Sequence, residues 1–426
     1  MELFPGCFRD NLADGPQVIG QEEPQSKSIS LGLWFNSGSR DERPEISGVT
    51  HLIEHLLFRG TENRSAYQIT SDVDRLGGYI NGSTSHEFLL LSLRILPESL
   101  SEGVDILTDL ALNPLFREED FGLEKDVVLE EIRSSHDDHK SETIRLLESI
   151  VWGEESGLSL PVRGTEDSIS ELTREDTVDR FRKMRSTEEM ILTAAGNLSF
   201  EEFRDTVESS LVEVSLAGEG AGASRQRSSG NGNKTGLRHR EDWRDVNQLH
   251  CAIGTEGLAK RDEDRFPLEM LNIVLGQGMS SRLFRKIRKE RGLAYHVTSS
   301  TQYYSDTGLF FVYGAMAPEN LPQFFELVLA EFDRLRNQPV SSEELELAKK
   351  KVKGNLVLGL ENNRALMGRL GVTALHEDDF LSVDQMVEKI EGVSSKEIQR
   401  VANRLLNRED LKYSLLGPEI EELPTF

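Results

Sequence analysis

The chain is poor in cysteine, lacks long apolar runs and is short of positive charge. Only Cys7 and Cys251 occur among 426 residues, too few for a disulfide framework and compatible with a reducing compartment. No stretch approaches the roughly 18 uninterrupted apolar residues of a membrane-spanning helix, so none is expected. Lys and Arg number 49 against 74 Asp and Glu, a formal net charge of −25. Nucleic acid is therefore not an expected partner, since phosphate binding needs clustered cations. Basic peptides would be attracted if the acidic residues line a substrate chamber; otherwise these residues form a solvated surface that aids solubility. The opening Met1-Glu2-Leu3-Phe4-Pro5-Gly6-Cys7 has neither the charged and apolar regions of a secretory signal nor the basic character of a transit peptide. A cytoplasmic protein is the simplest expectation.

What is present suffices for sizeable cores. Hydrophobic residues make up 37% of the chain, and its length predicts two or three domains. Leu96-Pro97-Glu98-Ser99-Leu100 returns as Ala317-Pro318-Glu319-Asn320-Leu321, an offset of 221. Leu172-Thr173-Arg174-Glu175-Asp176 matches Val393-Ser394-Ser395-Lys396-Glu397 at the same offset, and strand-like runs ending at Gly196 and Gly417 match as well. Separated matches at one offset indicate a duplication. Between the copies, 216–240 is rich in Gly, Ser, Asn and basic residues without apolar periodicity, which reads as a linker. The expected domains are 1–215 and 241–426. Each runs from alternating, strand-like segments into helical ones, predicting an α+β fold in which an antiparallel sheet is covered by helices.

The chemistry is concentrated in Gly48-Val49-Thr50-His51-Leu52-Ile53-Glu54-His55-Leu56-Leu57-Phe58-Arg59-Gly60-Thr61. On a helix His51 and His55 project from one face, with Glu54 beside them. Two histidines and a glutamate in so apolar a stretch are costly to bury unless something pairs with them, and a metal ion is a fitting partner. Neutral imidazoles suit Zn²⁺, a catalytic zinc needs a third protein ligand, and a neighbouring carboxylate can take a proton from water.

The order His-x-x-Glu-His is the inverzincin signature, and the segment resembles the zinc site of the pitrilysin/insulysin family of metallopeptidases. The chain's length resembles the mitochondrial-processing-peptidase-like branch. Phe35-Asn36-Ser37-Gly38-Ser39-Arg40-Asp41-Glu42 resembles the strand and turn that lead into the family's zinc helix. The family takes its third ligand from a Glu some 76 residues past the second His, in a stretch reading Glu, six residues, Glu. Glu131 lies 76 residues past His55 and seven past Glu124. The resemblance thus implies Glu131 as third ligand and Glu124 as the carboxylate that orients a ligating histidine. Without it, Glu130 would be an equal candidate, and an acidic helix face would be the default reading.

In the second copy the segment aligned with the zinc helix has no His pair, and Glu131 corresponds to Val352. Ser281 to Tyr295 instead looks like the family's C-terminal Arg/Tyr motif, which implies substrate-holding roles for Arg288 and Tyr295, seven apart. Taken alone the run is a basic amphipathic helix entering a strand. Gly77 to His86 resembles the strand that accepts extended substrate by β-addition, with Asn81 as a substrate contact. His136 and His139 read as solvent-facing. The resemblance implies zinc-dependent endopeptidase activity on peptides or unfolded, presequence-like segments, with Glu54 as general base. It implies a homodimer first and a heterodimer with a related subunit second. The alternative function is a catalytically weak structural or partner subunit of a peptidase-like assembly.

Overall fold

The computed structural model describes residues 1–425 apart from 14, 186–189, 213–235 and 377–378. In chain order the strands are β1 (Glu2–Phe4), β2 (Cys7–Asn11), β3 (Gln17–Glu22), β4 (Ile29–Phe35), β5 (Tyr79–Thr84), β6 (Leu89–Ile95), β7 (Met190–Gly196), β8 (His239–Trp243), β9 (Leu249–Glu256), β10 (Ala294–Tyr303), β11 (Gly308–Met316) and β12 (Lys412–Gly417). The helices of the first half are α1 (Val49–Leu57), α2 (Ala66–Arg75), α3 (Leu100–Leu112), α4 (Glu118–Ser135), α5 (His139–Trp152), α6 (Glu166–Glu171), α7 (Arg174–Met184) and α8 (Phe200–Val212). Those of the second are α9 (Arg265–Leu275), α10 (Leu321–Asn337), α11 (Ser342–Gly359), α12 (Asn363–His376), α13 (Val383–Gly392) and α14 (Ser395–Leu405).

The strands form two sheets, ordered β1-β2-β3-β7-β4-β6-β5 and β8-β12-β9-β11-β10. Without the β1/β2 hairpin the orders are identical, and each sheet is antiparallel except for one parallel pair, β3 with β7 and β8 with β12. The duplication extends to detail. Short 3₁₀ turns at Pro97–Ser99 and Pro318–Asn320 each run straight into a long helix. Thr173 and Ser394 both close capping boxes at the starts of α7 and α14, where a hydroxyl satisfies an otherwise unpaired backbone N–H. β7 and β12 both end on a glycine with positive φ.

The chain forms two compact units. One comprises Met1–Ser135, Leu160–Ser228 and Gly359–Phe380, and the other His136–Ser159, Ser229–Leu358 and Leu381–Phe426. The division into 1–215 and 241–426 follows the order of the repeat along the chain; in space, each unit also holds one helix from the other half. In the first unit α12 covers the sheet face opposite the main core, where Trp34 packs with Met367 and Leu370 and its indole N–H donates to Thr193 Oγ1 at 2.8 Å. Leu31, Leu33 and Phe35 enter the core on the other face. β4 is therefore buried along its whole length, as expected of a strand covered on both sides. In the second unit α5 plays the same part, with Leu147, Val151 and Trp152 packed on Phe311 and Tyr313.

Two expectations change. Most of the linker reading, 216–235, lies outside the described residues, but its last members His239 and Arg240 open strand β8. His136 is exposed, whereas His139 is partly covered, its ring stacked on His250 at 5.2 Å between centroids. Among the described residues no helix is long and apolar enough to cross a membrane.

Candidate metal centre

The centre is assembled in the first unit by α1 and α4. α1 starts at Gly48, whose φ of +90° and lack of a Cβ are both required: a methyl there would lie 2.4 Å from the Arg163 carbonyl oxygen. A glycine has no side chain to cap the helix, so the buried Glu42 reaches across instead. Its carboxylate accepts from Gly48 N–H at 2.7 Å and Thr50 N–H at 2.8 Å, placing a negative charge at the positive end of the helix. Burial pushes the Glu42 carboxyl up to about 7, against the hydrogen bonds from Thr50 and Gly48 and the nearby Arg180 guanidinium. Leu52, Ile53, Leu56 and Leu57 are buried in the core. Anchored this way, α1 turns His51 and His55 toward α4 and Glu54 toward β5.

α4 buries Phe121, Glu124, Val128 and Ile132, a helical spacing that turns Glu124 and Glu131 to the same side. His51 Nε2 stands 3.1 Å and His55 Nε2 3.7 Å from the Glu131 carboxylate. Ligand atoms of His51, His55 and Glu131 all lie within 4.8 Å of one another, the one such group of three among the described residues. The other His55 nitrogen, Nδ1, is 2.7 Å from Glu124 Oε2, and Glu124 is in turn paired with Arg59. A carboxylate behind a histidine selects the tautomer that leaves Nε2 free to bind a metal. Two imidazole nitrogens and a carboxylate fit a hydrolytic Zn²⁺ site with a coordination position left for water.

The acidic and basic groups of the centre stabilise one another's charges. Burial would raise the Glu124 carboxyl, but His55 and Arg59 outweigh it and hold it below the usual range. Burial would depress the His55 imidazole, yet the hydrogen bond to Glu124 and the charges of Glu124, Glu131 and Glu54 raise it. Glu54 is likewise opposed by burial and nonetheless held low by hydrogen bonds from His51 and Thr84 and by the charge of both histidines. An ionised Glu54 beside the ligand cluster is in the form that accepts a proton.

The remaining residues singled out in the sequence are placed as follows. Glu130, the rival of Glu131, points to solvent and pairs with Arg133. Asn81 lies on β5, the edge strand of the first sheet, with its side chain exposed on the face away from Glu54. Arg288 and Tyr295 come together in the second unit, the guanidinium 5.5 Å from the centre of the Tyr295 ring. Arg288 sits in a six-residue π-helix, Phe284–Lys289, in which Glu290 N–H donates to Arg285 O. Such i to i−5 turns are rare and frequently mark functional sites.

Four residues of the centre escaped the sequence reading: Glu42, Arg59, Thr84 and Arg163. Thr84 was legible in principle, because strict alternation along β5 puts Ile80, Gly82 and Thr84 on one face, and Thr84 Oγ1 donates to Glu54 Oε2. Arg163, whose Nε is 3.4 Å from Glu131 Oε2, carried no sequence signal.

Comparison with known proteins agrees with the geometry. Residues 17–166 match the model of Insulinase (Peptidase family M16), and 171–352 match the Peptidase M16 inactive domain. An uncharacterized zinc protease of Streptomyces coelicolor is 34% identical over 96% of this chain and 89% of its own length. The chain belongs to peptidase family M16. The uncharacterized zinc protease YmxG of Bacillus subtilis is 30% identical over 96% of the chain and 98% of its own length. Among solved structures, a protease from Helicobacter pylori superposes with a TM-score of 0.89 at 21% identity, covering 97% of this chain and 99% of that one. A chain of Complex III2 from Candida albicans shares the M16 fold with a TM-score of 0.82 at 20% identity, over 96% of this chain and 95% of that one. The inactive-domain match begins at 171, in the last part of the first repeat, and does not include the His-x-x-Glu-His segment.

Proposed function

We propose that this M16 protein is a zinc metalloendopeptidase that hydrolyses peptides and unfolded, presequence-like segments. The observation that carries the reading is the convergence of His51, His55 and Glu131 donor atoms within 4.8 Å, with the Glu54 carboxylate 3.7 Å from His51 Nδ1. His51, His55 and Glu131 would hold the metal, and Glu124 would fix the orientation of His55 through Nδ1. Once bound, Zn²⁺ supplies Lewis acidity that polarises a carbonyl and acidifies water. Glu54 accepts the proton of the attacking water and delivers it to the leaving amine, while Thr84 keeps its carboxylate aimed. The exposed edge of β5 offers unpaired backbone groups to an extended peptide. Arg288 and Tyr295 belong to the same proposal as donors to substrate carbonyl oxygens.

The test is cleavage of a mixed library of unfolded peptides by the wild-type protein and Glu54→Gln, with zinc quantified in both. Zinc in both and cleavage only by wild type is the expected result. Wild-type protein that carries zinc and cleaves nothing, or carefully prepared protein that takes up no zinc, would refute it.

A further inference from the structure

Net charge alone leads one to expect a preference for basic peptides, but the groups around the ligand cluster are arranged otherwise. Each carboxylate there already has a partner: Glu54 receives the Thr84 hydroxyl, Glu124 pairs with His55 and Arg59, and Glu131 faces His51 and Arg163. With a divalent cation in place, the carboxylates of Glu42, Glu54, Glu124 and Glu131 are balanced by that cation and the guanidiniums of Arg59 and Arg163. This centre is therefore far less negative than the chain as a whole, whose formal net charge is −25.

Arg163 is the cation at its rim. The side chain is about half exposed (52%), and among the described residues its guanidinium has one partner, Glu131, reached through Nε. Its backbone is held tightly. The Arg163 carbonyl lies against Gly48, Gly164 has φ +78° and packs directly on Ser47, and Ser168 Oγ donates to the Ser47 carbonyl at 2.8 Å. Thr165 then caps α6. This fixed backbone sets the Arg163 guanidinium beside Glu131. A carboxylate that ligates a divalent cation shares its charge with that cation, which weakens its hold on a neighbouring guanidinium. The remaining N–H donors of Arg163 form a fork suited to a second carboxylate.

We propose that Arg163 forms a subsite for an acidic side chain of the peptide close to the scissile bond, so that acidic residues are preferred over basic ones at that position. The proposal rests on the peptidase reading for its substrate but is tested by binding. The protein is zinc-loaded Glu54→Gln, with and without Arg163→Leu. The probes are labelled decapeptides with blocked ends, each carrying a single Glu, Gln or Lys moved through every position. At one or two positions the Glu peptide is expected to bind about tenfold more tightly than the Lys peptide, the scale of one charge-assisted hydrogen bond. That ratio should fall to within about twofold in Arg163→Leu and be partly restored in Arg163→Lys. Because the ratio is taken within each protein, a general weakening by the substitution cancels, and zinc content is measured on every sample.

An equal Glu-to-Lys ratio with and without Arg163, a preference for Lys in both, or no binding of any probe would overturn the subsite. Wild-type turnover separates this from the broader reading. Arg163-dependent binding without cleavage would remove the peptidase and leave the subsite, whereas cleavage indifferent to Arg163 would remove the subsite alone.

Discussion

Replacing Glu124 by Gln preserves the side chain's volume and leaves an oxygen able to accept from His55 Nδ1, but removes its charge. Glu124 is buried, and its contact with His55 is 2.7 Å. The substitution therefore converts a buried, charge-assisted hydrogen bond, worth about 1.5–3 kcal/mol, into a neutral one worth about 0.5–1.5 kcal/mol. A loss of about 1–2 kcal/mol corresponds to zinc binding weakened roughly five- to thirtyfold, in line with the roughly 10–100-fold typical of such outer carboxylates. Arg59 adds little to the cost, because its side chain is 40% exposed and returns to water. The assay is zinc affinity by chelator competition at neutral pH, with circular dichroism of the metal-free protein to verify the fold. A well-folded Glu124→Gln protein that binds zinc within twofold of wild type would refute the role assigned to this carboxylate.

Glu131→Gln should lose zinc by at least about a hundredfold, while Glu130→Gln, altered at an exposed position, should bind it as wild type does; equilibrium dialysis of the pair decides between the neighbours. Gly48→Ala forces a side chain into a left-handed conformation and against the Arg163 carbonyl, which should cost at least about 2 kcal/mol and lower the thermal midpoint; an unchanged midpoint would contradict the packing at the start of α1. Burial pushes the Glu148 carboxyl up from an ordinary 4.5 to about 8, against a hydrogen bond from Gln302 and the charge of Arg145. The folded protein thus keeps a proton that the unfolded chain releases near 4.5, so this group's contribution falls as pH rises between the two values, by up to about 5 kcal/mol. Glu148→Gln should be more resistant to urea than wild type at pH 8 and gain little at pH 5, and a gain independent of pH would exclude the mechanism.

The sequence by itself determined the parts whose signals are local or periodic. His51, Glu54 and His55 are legible because three functional groups on one helical turn need only the helix to bring them together. The duplication is legible because equal offsets carry equal turns, caps and strand ends, from Pro97 and Pro318 to Gly196 and Gly417. Glu131 could be separated from Glu130 only through the family resemblance, since nothing along the chain records which side of α4 faces α1. Packing decided it, by burying Phe121, Glu124, Val128 and Ile132. Tertiary structure alone decided the rest. Glu42 caps α1 because Gly48 cannot, Thr84 meets Glu54 because β5 runs past α1, and Arg163 reaches Glu131 because two backbones meet where neither residue has a Cβ. The placement of α5 in one compact unit and α12 in the other has the same origin. Each has an apolar face that must be buried, and a sequence pattern states that requirement without naming the sheet that satisfies it.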